Sequence, residues 1–153
     1  MEKTDMMIIE QIKAMLEEKE LQYQADDEDG IVAVGFPKFN CLYHVREDSL
    51  DFRLLINKEV PEEYTGEMLK LLNHINGITK DGHWELIDNH IYYRLYTNRV
   101  HNKEVSDKRI AEIFGKGGVA AELFYTGMEM VCEGIVSGED AFEKLIMKRL
   151  MEE

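Results

Sequence analysis

The segment at residues 50–56 alternates more regularly between apolar and polar side chains than any other part of the chain. Leu50, Phe52, Leu54 and Ile56 fall on one face of an extended strand, and Asp51 and Arg53 between them point the opposite way. A period of two is typical of a strand with one buried and one solvated face. The pattern therefore predicts a sheet that receives helices on one face and leaves the other face polar.

Short extended runs precede this strand; polar turns close the first and the third, and Pro37 ends the second. They are predicted at residues 21–25, 31–36 and 40–45. Because the connections are short, neighbouring strands must pair as hairpins, which gives an antiparallel meander of three to four strands. A further pair is predicted at residues 84–87 and 90–96, joined by the turn-forming dipeptide Asp88-Asn89.

Four segments carry the three-to-four residue spacing of an amphipathic helix. They lie at residues 4–19, from Pro61 to Asn76, from Ser106 onward, and from Ser137 to the end of the chain. Glycines at positions 115, 117 and 118 interrupt the third of these, where we expect a bend. The order predicts an α+β fold: helix, antiparallel meander, helix, two-stranded hairpin and C-terminal helices. No linker divides the chain, so residues 1–153 are expected to form a single domain.

Charge and hydropathy argue against nucleic acid and membrane partners. The chain has 18 Lys and Arg against 31 Asp and Glu, a net charge of −13, which repels phosphate backbones and anionic lipids at long range. The least polar stretch, residues 117–136, contains three glutamates, which are costly to insert into a bilayer. The charged start of the chain does not resemble a secretory leader, so we expect a cytoplasmic protein with Cys41 and Cys132 reduced.

Motif tests give no catalytic, cofactor or metal site. The acidic turn at residues 26–30 lacks the first and last ligands of a calcium loop. Gly115, Gly117 and Ala120 match a dinucleotide fingerprint in spacing, but the residues before them are predicted to be helical instead of a strand. Cys41 and His44 have no second ligand pair for zinc. No catalytic residue, cofactor or metal is therefore predicted.

Two surfaces on the predicted hairpin remain as functional hypotheses. The first is a protein contact made by Trp84, Tyr92, Arg94 and Tyr96, because aromatic residues and arginine are favoured at interfaces. The alternative is a small-ligand sensor or an enzyme, with His83, Glu85 and His90 meeting near the hairpin turn.

The order of elements, together with the phrase at residues 56–64 (INKEVPEEY) leading into residues 68–76 (MLKLLNHIN), resembles the YbjN family. Members of that family, called putative bacterial sensory transduction regulators, are similar in fold to the small acidic chaperones of type III secretion. The resemblance spans roughly residues 16–138. It implies a frequently dimeric α+β domain, and it transfers no catalytic residue.

This chain departs from the family pattern in its glycine-rich third helix and in the helix added after Ser137. That added helix is positioned to cover a surface that the secretion chaperones use for dimerisation or binding. Sequence and resemblance together predict a non-enzymatic protein-binding module of the bacterial cytoplasm. Its expected role is that of a chaperone-like protein or regulatory adaptor, with a polypeptide partner and homodimer formation as expectations.

Overall fold

The computed structural model describes residues 2–100 and 103–152, and it is built on a six-stranded antiparallel sheet. The spatial order is β1-β2-β3-β4-β6-β5, so the hairpin of β5 and β6 adds to the meander through β6. The strands are β1 Gln24–Asp26, β2 Ile31–Gly35, β3 Phe39–Val45, β4 Ser49–Ile56, β5 His83–Ile87 and β6 His90–Asn98. The prediction of an α+β fold with a meander and a separate hairpin is confirmed.

Helices precede, interrupt and follow the strands. They are α1 Lys3–Glu18, a 3₁₀ turn Glu62–Tyr64 with α2 Thr65–Ile78, α3 Asp107–Cys132, α4 Gly138–Asp140, a π-helical stretch Ala141–Met147, and α5 Lys148–Glu152. The last three pieces follow one another directly, and residues 138–152 are called the C-terminal helical segment below. Within the described ranges, no helix combines the length and the apolar character needed to cross a membrane.

Burial follows the alternation seen in the sequence, except that Asp51, expected on the solvated face, is also buried and pairs with Arg46. Leu50, Phe52, Leu54 and Ile56 of β4 are all fully buried. They belong to one continuous core with the apolar stripes of α1, α2 and α3. The turn between β5 and β6 also has the local geometry that its residues predict, because Asp88 and Asn89 both adopt positive φ, at 50° and 64°.

Helix α3 is one continuous α-helix from Asp107 to Cys132, so the glycines at which we expect a bend do not end or divide it. Gly117 is buried, and a Cβ at this position would lie 2.6 Å from the ring of Phe52. Glycine here lets the helix backbone pack directly on β4. Gly115 has no heavy atom within 4 Å of the same hypothetical Cβ. The close packing of α3 on β4 therefore explains why residue 117 is a glycine, and this packing cannot be seen in the sequence alone.

A buried arginine joins the ends of three elements. Arg99 is completely buried and forms an ion pair with Asp5 of α1, with 2.8 Å between Nη1 and Oδ1. Its Nε donates a hydrogen bond to the carbonyl of Lys103 at 2.8 Å, and Nη1 donates to the carbonyl of Arg46. Arg99 thereby holds the start of α1 against the β3–β4 turn and the segment that leads to α3.

The C-terminal helical segment packs on the outside of the helix layer. The backbone N–H of Gly138 donates a hydrogen bond to Glu67 of α2 at 2.9 Å, and this bond lowers the pKa of the Glu67 carboxyl. Gly127 of α3 lies against Ile146. This segment therefore covers α2 and α3, and it leaves the opposite face of the sheet accessible.

Substitution of Gly117 by alanine tests this packing. We expect Gly117→Ala to lower the free energy of unfolding by about 1–3 kcal/mol, because the added methyl group overlaps Phe52. Gly115→Ala is the matched control, and it should raise stability by up to about 1 kcal/mol through helix propensity. Urea denaturation followed by circular dichroism measures both. Equal effects of the two substitutions would show that α3 does not approach β4 this closely.

Candidate functional site

The sheet face that points away from the helices is the main candidate for a functional surface. Its side chains are partly buried or exposed, with the exception of Asp51, which is 3 % exposed. Across β4, β6 and β5 the register aligns Leu55 with Tyr92 and Glu85, and Arg53 with Arg94 and His83. These residues, together with Asp51 and Tyr96, are called the open face below.

Three of the four predicted contact residues lie together on the open face. Tyr92, Arg94 and Tyr96 alternate along β6 with the buried Ile91, Tyr93 and Leu95. Tyr96 is 41 % exposed, and the guanidinium of Arg94 lies 5.0 Å from the centre of its ring, within the range of a cation–π contact. This sequence of aromatic, cationic and aromatic side chains is accessible to another molecule.

Trp84 does not share this face. It pairs with Tyr93 and points into the core, where it is 3 % exposed and contacts the ring of Phe124 edge-on, with the centroids 5.8 Å apart. The prediction grouped Trp84 with the tyrosines because all of them lie on one hairpin. Because Trp84 is paired with the buried Tyr93, its side chain lies on the face that the helices cover. It therefore cannot contact a protein bound to the open face.

A hydrogen-bonded group surrounds Glu85 at the edge of the open face. Nε2 of His83 lies 2.5 Å from one carboxylate oxygen of Glu85, and Nη1 of Arg94 lies 3.4 Å from the other. Partial burial acts to raise the pKa of Glu85, but the contacts with His83 and Arg94 outweigh it and lower the pKa. Glu85 is therefore a carboxylate that orients its neighbours and does not act as a proton donor near neutral pH.

His83 and His90 do not converge as the alternative hypothesis requires. His83 pairs with Arg94, whereas His90 pairs with Ile87 next to the turn. The two pairs are four positions apart along β5, which is about 13 Å at the usual rise per residue. Nδ1 of His90 instead contacts the carbonyl of Asp88 at 2.9 Å. Among residues 2–100 and 103–152, no three His, Cys, Asp or Glu side chains are grouped closely enough to hold a metal ion.

Arg53 belongs to the open face, although no motif in the sequence marks it as a functional residue. It lies directly opposite Arg94 on the neighbouring strand, and both side chains line a shallow cavity of about 160 Å³ with Tyr92 and Ile87. The Nε atoms of both arginines are buried and have no hydrogen-bond partner. The sequence shows that Arg53 points away from the core, but only the strand register shows that it faces a second arginine.

A larger cavity lies on the other side of the molecule. It has a volume of about 640 Å³ between the end of α2, the middle of α3 and the C-terminal helical segment, with apolar walls that include Val119, Leu123 and Leu150. One end of it is charged, because Lys116 Nζ lies 2.7 Å from a carboxylate oxygen of Asp81. The hydrogen bond from Lys116 lowers the pKa of Asp81. No feature of the sequence alone predicts this cavity.

A family model and a solved structure of the same family both match this chain. The model of the YbjN family, described as "Putative bacterial sensory transduction regulator", matches residues 9–130. A solved structure, titled "Crystal structure of YbjN, a putative transcription regulator from E. coli", superposes with a TM-score of 0.53 at 8 % sequence identity, covering 94 % of this chain and 92 % of that chain. No curated protein sequence matches this chain. At this identity, the structural similarity bears on the fold alone.

A matched pair of tyrosine substitutions tests the assignment of faces. Tyr96→Thr on the open face should change the free energy of unfolding by less than about 1 kcal/mol, since threonine suits a strand and little packing is lost. Tyr93→Thr should cost about 3–5 kcal/mol, because it empties part of the core and removes the hydrogen bond from the Tyr93 hydroxyl to the Asp81 carbonyl. Urea denaturation measures both, and a reversed order would contradict the assignment.

Proposed function

Because the chain belongs to the YbjN family, described as a sensory transduction regulator, we propose that it acts as a non-catalytic regulatory adaptor that binds another polypeptide across the open face. The observation that carries this proposal is the row of Tyr92, Arg94 and Tyr96 beside Arg53 on a sheet face that no described helix covers. Tyrosine and arginine are over-represented among the residues that dominate binding energy at protein interfaces.

The shape of the open face supports a polypeptide partner over a small molecule. Its cavity of about 160 Å³ is below the usual size of a small-molecule site, which must enclose most of its ligand. A sheet surface instead presents a broad, nearly flat area on which an extended chain or a second domain can lie. Self-association through the same face is one form of this proposal, and chaperone-like binding of a client protein is another.

The net charge of the protein favours regulation through protein contacts over regulation through DNA binding. At −13, the protein repels nucleic acid at long range, so control of transcription by direct contact with DNA is disfavoured. Regulation through binding to another protein agrees with this charge. We place this activity in the bacterial cytoplasm, where the buried, unpaired Cys41 and Cys132 remain reduced.

Photo-cross-linking in the native cell tests the proposal. A benzophenone amino acid at Tyr92 should give discrete cross-links to one protein, or to a second copy of the chain, because this position is at the centre of the open face. The matched control carries the same group at Val119, which is 69 % exposed on the helix layer, and should give none of these products. The same product at both positions, or products only at position 119, would contradict an adaptor that binds through the open face.

A second function, small-ligand sensing, is favoured by the cavity beside α3. Its volume of about 640 Å³ and its apolar walls with one charged end suit an amphipathic molecule. This site replaces the hairpin of His83 and His90 as the place for a sensor, because those histidines lie apart.

Dodecanoate is a suitable probe of this cavity. If it binds there, a concentration of one hundred times its dissociation constant should stabilise the protein by about 2.7 kcal/mol. Leu123→Glu, which places a charge in the wall, should abolish the gain in thermal stability. Stabilisation that is unchanged in this variant, or absent in the parent protein, would contradict ligand sensing at the cavity.

A further inference from the structure

Arg53 and Arg94 form an arrangement that is unfavourable in the isolated protein. Like charges directly opposite each other on antiparallel strands repel, and the paired Cα atoms of such residues lie only about 5 Å apart. A chain with 31 carboxylates and 18 cationic residues nevertheless has two arginines facing each other here. The placement is unexpected for a pair whose only role is to stabilise the sheet.

Neighbouring carboxylates pair with Arg94 but not with Arg53. Asp51, two residues from Arg53 on the same face, is instead paired with Arg46, with 2.9 Å between Nε and Oδ2. Of the two arginines, Glu85 pairs with Arg94 alone. One of its carboxylate oxygens contacts Arg94, and the other contacts His83. Within the described ranges the guanidinium of Arg53 forms no hydrogen bond and no ion pair.

Both arginines also hold donors that lack an acceptor. Their Nε atoms are buried, and neither has a hydrogen-bond partner. A buried donor without an acceptor destabilises the folded protein, and more strongly when the group is charged. One anion in the adjoining cavity would provide acceptors for both guanidinium groups and remove their mutual repulsion.

The surroundings of the cavity indicate where the anion comes from. At about 160 Å³ the cavity accommodates an anionic group but does not enclose a metabolite, so the group must be attached to something larger that rests on the sheet. Polymers rich in phosphate and anionic membranes are repelled by the net charge of −13. A single carboxylate on a polypeptide avoids most of this repulsion, and Tyr92 and Ile87 provide apolar contact for its methylene groups.

We propose that Arg53 and Arg94 together bind one carboxylate, supplied by an Asp or Glu side chain of the polypeptide that lies across the open face. This inference rests on the proposed function and specifies the chemistry of its partner. Arg94 is held in place by Glu85 and by its contact with Tyr96. Arg53, which has no such partner among the described residues, supplies the second guanidinium to which the carboxylate binds.

Nuclear magnetic resonance of the ¹⁵N-labelled full chain tests the site directly. The probes are glutamate with an acetylated amino group and a methylamide carboxyl end, the glutamine equivalent, and inorganic phosphate. Capped glutamate should shift the Nε–H signals of both arginines saturably, and capped glutamine should not. Arg53→Gln should weaken this binding at least tenfold, whereas Lys148→Gln, an equal loss of charge at an exposed position outside the open face, should leave it unchanged.

Arg53→Lys is the second variant, in case glutamine at this position disturbs the sheet. It retains the charge but loses the planar fork, so it should also weaken binding while leaving the amide spectrum folded. A response to phosphate and not to capped glutamate would overturn the assignment of a carboxylate. No saturable shift with either probe, or equal affinity in the parent protein and Arg53→Gln, would overturn the site itself.

This result is separable from the test of the adaptor function. If a protein is cross-linked at position 92 but capped glutamate does not bind, the adaptor function stands and the carboxylate site is wrong. If capped glutamate binds but no protein is cross-linked at position 92, the site stands and the adaptor function is wrong.

Discussion

One-sided burial of the sheet is the constraint on which the rest of the structure depends. Leu50, Phe52, Leu54 and Ile56 are fully buried because every helix that the structure describes packs on their side of β4. The side chains between them must then face the opposite direction, whatever their chemistry. Since the pleat alternates without exception through β4 and β6, the apolar requirement of one face determines which residues are available on the other.

The helix layer reinforces this division. Gly117 allows α3 to approach Phe52 closely, and the buried Arg99 fixes α1 against the loops at the end of the sheet. The C-terminal helical segment adds to the same side through Gly138 and Glu67. Apolar contacts are thereby concentrated in the helix layer, and the open face carries arginine, tyrosine and carboxylate groups whose positions the sheet holds rigid. A rigid surface of this kind loses little conformational entropy on binding.

Local patterns were sufficient to predict the elements, because each depends on residues close together in sequence. The alternation in β4, the turn at Asp88-Asn89 and the helical stripes are of this kind. Features that depend on pairing between segments distant in sequence could not be predicted from local patterns. The register places Trp84 in the core, away from Tyr92, and pairs Arg53 with Arg94, which lies 41 positions further along the chain. The low helix propensity of glycine predicts a bend at Gly117. The contact that explains a glycine at this position is with Phe52, which lies on β4 and is distant in sequence.

Hydroxyl-radical footprinting tests the central claim, that binding uses the open face, most directly. The chain is oxidised in its native cell and again after purification, and modification of Tyr92 and Tyr96 is compared with that of the exposed Leu69 and Met151 on the helix layer. We predict that the two tyrosines are protected in the cell and become reactive after purification, while Leu69 and Met151 react equally in both. Protection of the helix layer with unchanged reactivity of the tyrosines would contradict the account.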